Sequence, residues 1–148
     1  MFKVSRRVDY GLQLLIALAS DPQGQPQSTA SLAKKLEMPL PFTHQIAHTL
    51  MQNGFIKASP GPKGGLALNQ SATQITVLQV VEALEGPISL NPCTSCSDQC
   101  AREEDCVSRF FWDDLQQRIV LSLAAATIAN LTDPEELKLA IQSLPLAQ

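Results

Sequence analysis

The chain has 148 residues, a formal net charge of −3 and 45% hydrophobic residues, which suits one globular domain with an extension. Its start runs into an amphipathic pattern without the apolar stretch of a signal peptide, and its most apolar run, residues 119–131, is too short to cross a bilayer. We therefore expect a cytoplasmic protein that has no membrane partner.

The charges are unevenly distributed along the chain. Residues 1–65 carry seven Lys and Arg against three Asp and Glu, whereas residues 66–148 carry four against eleven. A basic N-terminal half allows contact with phosphate even though the whole chain is acidic. The net charge alone therefore does not exclude a nucleic-acid partner.

Three short helices are predicted in the N-terminal third. Ser5 is the expected cap of the first helix, and Thr29 is the expected cap of a second helix from Ala30 to Leu36. Pro41 fits the first turn of a third helix, which extends to about Gln52.

Two strands are predicted next, over residues 55–59 and 66–69. The segment between them, residues 60–65, is rich in glycine and proline and is typical of a hairpin tip. Three helices followed by a hairpin predict a winged helix-turn-helix, a mainly α fold with a small β-hairpin wing.

Six side chains are candidates for DNA contact. Three lie on the third helix, opposite its apolar face and near the end that a recognition helix inserts into the major groove, although any amphipathic helix has a solvated face. Two arginines lie at the start of the first helix, where the helix dipole disfavours cations unless an anion is bound. A lysine lies at the hairpin tip. The candidates are Arg6, Arg7, His44, Gln45, His48 and Lys63.

The C-terminal half is predicted to be helical. Thr76 and Gln79 form a capping-box pattern for a helix through Glu85, and Asp133 is the expected cap of a short last helix. A long apolar helix is predicted from about Glu103 to Ala125, and such a helix outside a compact domain is usually buried against its copy, which predicts a twofold homodimer. The expected divisions are a DNA-binding domain at 1–86, a cysteine loop at 87–106, and dimerisation and C-terminal helices at 107–148.

All four cysteines of the chain lie within fourteen residues, at Cys93, Cys96, Cys100 and Cys106. Thiolates so close together favour a metal site, because zinc and iron-sulfur clusters prefer soft ligands. The even count also permits disulfides, although nothing else in the sequence is typical of secretion.

In their order and spacing these motifs resemble the bacterial winged-helix regulators represented by IscR, NsrR, RirA and CymR. The resemblance covers nearly the whole chain and implies a transcription regulator, not an enzyme, that binds double-stranded promoter DNA as a homodimer. It also implies a 2Fe-2S or 4Fe-4S cluster that senses iron, oxygen, nitric oxide or redox state. The matching segments are residues 4–12, 32–36, 53–56, the wing 61–65, residues 75–86 and the cysteine loop.

The resemblance further implies which residues hold the cluster. The expected ligands are Cys93, Cys100 and Cys106, completed by Asp9 from the partner subunit or by Cys96. Some relatives use a His where this chain has Arg109, a permanent cation that cannot ligate iron. Relatives also often carry an Arg at the position of Pro60, so that Lys63 is the expected substitute in the wing.

Three alternatives to a cluster sensor follow from the same cysteines. A structural zinc site would use all four thiolates in one tetrahedral centre. A metal-free sensor would rely on thiol oxidation. An iron-sulfur electron carrier is disfavoured because the sequence shows neither a ferredoxin-like cysteine run nor a substrate-pocket motif.

Overall fold

A computed structural model describes residues 3–91 and 106–143 of the protein. This part of the chain is mainly helical, with one two-stranded antiparallel hairpin. In chain order the elements are α1 (Arg6–Ala19), α2 (Thr29–Lys35), α3 (Leu40–Gln52), β1 (Ile56–Ser59), β2 (Gly65–Leu68), α4 (Val77–Glu85), α5 (Val107–Ala125), α6 (Ile128–Thr132) and α7 (Pro134–Gln142). Within these ranges none of the helices combines the length and apolar character that crossing a bilayer requires.

Helix α1 is the central helix of the core. It begins as predicted at Ser5, whose hydroxyl accepts a hydrogen bond from the Val8 amide at 3.2 Å. Its buried positions recur at helical spacing and pack against α3, α4, α6 and β2. Gly11 is buried where α4 crosses α1, and a Cβ there would lie 2.5 Å from Leu84 Cδ1, so glycine permits the close packing of these two helices.

Helices α2 and α3 form the helix-turn-helix. The predicted cap Thr29 was wrong by one residue, because the Ser28 hydroxyl accepts from the Ser31 amide at 3.1 Å and Thr29 is already helical. Helix α3 begins at Leu40, one residue before the predicted Pro41, which occupies its first turn. Between the helices Glu37 has a φ of +53°, and Met38 is buried behind it.

The hairpin pairs Ile56 with Leu68 and Ser59 with Gly65, and each strand limit lies within one residue of the predicted one. A third segment joins it, since Gln27 and Leu66 exchange two backbone hydrogen bonds of 2.9 and 2.8 Å. Gly65 has a φ of +150°, and a Cβ there would collide with the Gln27 backbone. The hairpin is therefore attached to the helical core along one edge.

Helix α4 has the predicted capping box. Thr76 and Gln79 satisfy each other's backbone amides at 2.9 and 3.2 Å, and the helix ends at Glu85 before Gly86, whose φ is +86°. Beyond it the Leu90 amide donates to Gln116 Oε1 of α5 at 3.0 Å, and the segment that contains Cys93, Cys96 and Cys100 lies outside the described residues.

The predicted apolar face of the long helix is divided between two sides of α5. Leu115, Ile119 and Leu123 are half-buried on the side that faces the rest of the chain, where α5 packs against α4 and α7. Val107 and Phe110 are exposed by 82% and 69%. The predicted start near Glu103 lies outside the described residues, and α5 as described begins at Val107.

Helix α6 was not predicted, and it returns the chain to the core. The Val77 amide donates to the Ala126 carbonyl and the Ile128 amide donates to the Ile75 carbonyl, both at 2.9 Å. Ile128 is fully buried among the residues of the winged helix. The third predicted segment, 107–148, thus contributes a buried residue to the core of the first. Asp133 caps α7 as predicted, accepting from the Glu135 amide at 2.9 Å.

Candidate nucleic-acid interface

The exposed face of α3 presents three polar side chains. His44, Gln45 and His48 are all exposed, whereas Ile46 and Leu50 on the opposite side are buried. The helix is thereby fixed to the core by its apolar side, and its polar side is left for solvent or a ligand. Imidazole and carboxamide groups can hydrogen-bond base edges in the major groove of DNA.

The N-terminal end of α3 is held by a buried threonine. Thr43 is 1% exposed, and both its amide and its hydroxyl donate to the Pro39 carbonyl, at 3.0 and 3.1 Å. Phe42 packs edge-on against Tyr10 of α1 with ring centroids 5.7 Å apart. These contacts fix the direction in which the first turn of α3 points.

The wing presents Lys63 at its tip. Lys63 is exposed, and the turn closes through a hydrogen bond of 2.9 Å from the Gly64 amide to the Gly61 carbonyl. Gly61 has a φ of +100°, which L-residues with a side chain rarely adopt. The ammonium group is therefore carried by a short turn that projects beyond the hairpin, as contact with a phosphate or a groove requires.

The two arginines at the start of α1 differ in their surroundings. Arg6 is exposed, whereas Arg7 is half-buried and donates from Nη2 to Thr49 Oγ1 of α3 at 3.1 Å. Part of the Arg7 guanidinium thus joins α1 to the candidate recognition helix, and its remaining N–H groups could still reach a phosphate.

A second long-range hydrogen bond lies at the start of α1. Ser5 Oγ donates to Glu85 Oε1 at 2.8 Å, which joins the start of α1 to the end of α4. Sequence analysis missed both long-range bonds, because no local pattern signals a pair 42 or 80 residues apart.

Of the predicted metal ligands, Asp9 and Cys106 are described and lie on different elements. Asp9 is exposed on α1 and accepts from Gln13 Nε2 at 2.9 Å. Cys106 is partly exposed immediately before α5, with its Sγ 3.2 Å from Ser108 Oγ. Both are donors that iron accepts, and both can be reached from solvent. Over residues 3–91 and 106–143 no three His, Cys, Asp or Glu side chains are grouped closely enough to hold a metal ion, and the other three cysteines lie outside these ranges.

Arg109, which stands where some relatives carry a His, forms an ion pair on α5. Its Nε lies 3.7 Å from Asp113 Oδ2, one turn further along α5. The pair is of the i,i+4 kind that lies along one face of a helix.

Comparison with known proteins decides the family. The sequence profile of the Rrf2 family, described as an iron-dependent transcriptional regulator, matches residues 4–134. The chain belongs to the Rrf2 family. The slr0846 protein of Synechocystis sp., assigned as an HTH-type transcriptional regulator, is 32% identical over 129 residues, which cover 87% of this chain and 86% of the relative.

Solved structures of Rrf2-type regulators have the same fold. CymR, the global cysteine regulator of B. subtilis, has a TM-score of 0.78 at 26% identity, with 90% of this chain and 98% of CymR covered. IscR of T. potens has a TM-score of 0.72 at 25% identity, with 99% of this chain and 93% of IscR covered. The predicted winged-helix fold is confirmed, and this Rrf2 protein is a transcriptional regulator rather than an enzyme.

Proposed function

We propose that this Rrf2 regulator reads duplex promoter DNA through the exposed face of α3. The observation that supports this most directly is the arrangement of His44, Gln45 and His48 on a helix whose other side is buried in the core. Lys63 of the wing and Arg6 at the start of α1 supply phosphate contacts on either side of the helix. Arg7 contributes a phosphate contact and also holds α3 through Thr49.

The protein acts as a homodimer in this proposal, with the exposed side of α5 against a second copy. That side carries Val107, Phe110, Phe111 and Leu121, whose exposed fractions lie between 57% and 82%. Between these apolar residues Arg118 and Asp114 form an ion pair of 2.8 Å. A group of large apolar side chains seldom remains exposed to water on a long helix. In a twofold interface both subunits present the same surface, and the ion pair leaves that surface without an unpaired charge at this point.

Control of DNA binding is proposed to come from an iron-sulfur cluster, whose bound state would report iron, oxygen, nitric oxide or redox conditions. Cys93, Cys100 and Cys106 would hold it, with Asp9 of the partner subunit or Cys96 as the fourth donor. The family description and the IscR relative support this proposal. The likeness to CymR favours a second candidate, in which the four thiols respond to oxidation without a metal.

The absorption spectrum of the full-length protein, purified without oxygen, tests the cluster proposal. A brown, reducible chromophore that is lost in Cys93→Ala, Cys100→Ala and Cys106→Ala supports it. A colourless protein that contains zinc contradicts it in favour of a structural site, and a colourless metal-free protein with DNA affinity that changes on thiol oxidation favours the second candidate.

The fourth ligand is tested by a pair of single variants. Asp9→Asn keeps an acceptor for Gln13 but removes the carboxylate, so an altered or labile chromophore in this variant assigns the role to Asp9. Loss of the chromophore in Cys96→Ala, with an unchanged spectrum in Asp9→Asn, assigns it to Cys96. Asp133→Asn is the matched control, because Asn caps a helix as well as Asp does.

A further inference from the structure

The first turn of α3 carries an apolar tip made of Pro39, Leu40 and Pro41. All three residues are exposed, and Leu40 is 40% exposed. The other large exposed apolar side chains in the described part of the chain lie at Val4 or on α5 and α7, so Leu40 alone among them belongs to the helix-turn-helix. A single exposed Leu is ordinary on a protein surface, but this one lies at the start of the candidate recognition helix.

Leu40 lies on the same face of α3 as His44. The two residues are four positions apart, which places them one above the other on a helix. Leu40 is the residue nearer the N-terminus, the end that a recognition helix inserts most deeply into the major groove. A DNA duplex held against His44 therefore meets the Leu40 side chain as well.

The backbone that carries Leu40 is rigid. Pro39 and Pro41 fix their own φ angles, and the Pro39 carbonyl accepts two hydrogen bonds from the buried Thr43. A side chain on such a turn loses little backbone freedom on binding. The tip is thus suited to a specific apolar contact, and the thymine methyl is the apolar group that DNA offers in the major groove.

We propose that Leu40 is a specificity-determining residue that contacts the 5-methyl group of a thymine. Four residues of helix span roughly 6 Å, so this thymine lies within about two base pairs of the base that His44 reads. The inference rests on the proposed DNA-binding function of α3 and adds to it a preference for T over C or deoxyuridine at one position.

The test begins with duplexes selected by the full-length protein from a random library, and each thymine of the selected site is then replaced singly by deoxyuridine. Fluorescence anisotropy gives the affinities. The base that His44 reads is located as the position at which His44→Ala loses its sequence preference. Replacement of one thymine near that base should weaken binding roughly fourfold, the effect expected from the loss of one buried methyl group. Leu40→Ala should bind the thymine duplex with a similar loss and should no longer distinguish it from the deoxyuridine duplex.

Two further variants separate a contact from a change in folding. Leu40→Met keeps a long apolar side chain and should therefore distinguish thymine from deoxyuridine. Leu139→Ala on α7 makes the same change as Leu40→Ala at another exposed leucine and should distinguish the two duplexes as the parent protein does. If Leu40→Ala still distinguishes thymine from deoxyuridine as the parent does, the inference is wrong while DNA recognition by α3 stands. If the selection enriches no duplex, the proposed function fails and this inference fails with it.

Discussion

At the scale of single residues, Glu37 is the unusual backbone position of the helix-turn-helix. Its φ of +53° lies in the left-handed region, where a side chain costs about 1 to 2 kcal/mol. The conformation lets the Met38 amide reach the Ala33 carbonyl at 2.8 Å and lets Met38 enter the core. The turn between α2 and α3 is thus stabilised by a buried methionine at the expense of local strain.

Glu37→Gly should therefore increase the free energy of unfolding, by up to about 1 kcal/mol, because glycine adopts this φ without strain. Glu82→Gly, the same change within α4 at an exposed position, should lower it by about 1 kcal/mol. Urea unfolding of both variants at one protein concentration measures the difference. A loss of stability in both would show that the left-handed turn is not strained.

His44→Ala should change sequence preference rather than general affinity, costing roughly 1 to 3 kcal/mol at the base that His44 reads. Gln52→Ala, at an exposed position near the end of α3, is the control and should have little effect on preference. Anisotropy titrations with single-base variants of a selected duplex provide the measurement. Equal weakening on every duplex would make His44 a positioning residue.

At the scale of elements, the short helix α6 ties the C-terminal part of the chain to the winged helix. Thr76 and Thr127 form an isolated antiparallel bridge beside it, and Ile128 is 0% exposed within the apolar core of the winged helix. Because α5 leads directly into α6, any movement of α5 must be accommodated at this junction. The core of the winged helix is therefore completed by residues that follow Cys106.

Ile128→Ala should destabilise the protein by about 2 to 5 kcal/mol, through lost burial and the cavity left behind. Ile141→Ala, at a position that is 53% exposed on α7, should change stability by less than about 0.5 kcal/mol. Thermal and urea unfolding at equal concentration compare the two. Similar small effects would mean that α6 is not part of the cooperative core.

At the scale of the whole molecule, α5 has no fully buried residue although it is the longest described helix. We expect the proposed dimer to cover Phe110, so that Phe110→Lys weakens self-association roughly 10- to 100-fold. Gln25→Lys, at an exposed position in the loop between α1 and α2, introduces the same charge away from α5 and should leave self-association unchanged. Analytical ultracentrifugation over a range of concentrations measures both. Unchanged association in Phe110→Lys would exclude this side of α5 as the interface.

Binding to a selected duplex should weaken steeply as salt is raised, by about one unit of logarithmic slope for each phosphate contact. Arg6→Ala should reduce the slope by about one unit, because Arg6 is exposed and joins no other helix through a described hydrogen bond. Arg7→Ala is a less direct test, since it also breaks the bond to Thr49. An unchanged slope in Arg6→Ala would remove the phosphate role from that residue.

The amino-acid sequence determined the elements whose signals are local. The Ser5 cap, the capping box of Thr76 and Gln79 and the turn at residues 60–65 each depend on neighbouring residues, and each was predicted within a residue or so. The exposed polar face of α3 was also predicted, because helical periodicity alone separates it from the buried face.

Tertiary structure alone decided which distant parts of the chain meet. Helix α6 is too short for a periodic pattern to reveal it, although Thr127 and Asn130 form a local capping box at its start. Its place in the molecule depends on the backbone hydrogen bonds of Ile75 and Val77 to Ile128 and Ala126, and on the apolar core that surrounds Ile128. Likewise, the bond from Arg7 to Thr49 and the division of α5 into a packed and an exposed side arise from packing between elements. Such contacts are selected by the shape of the assembled core, a property that no short stretch of sequence carries.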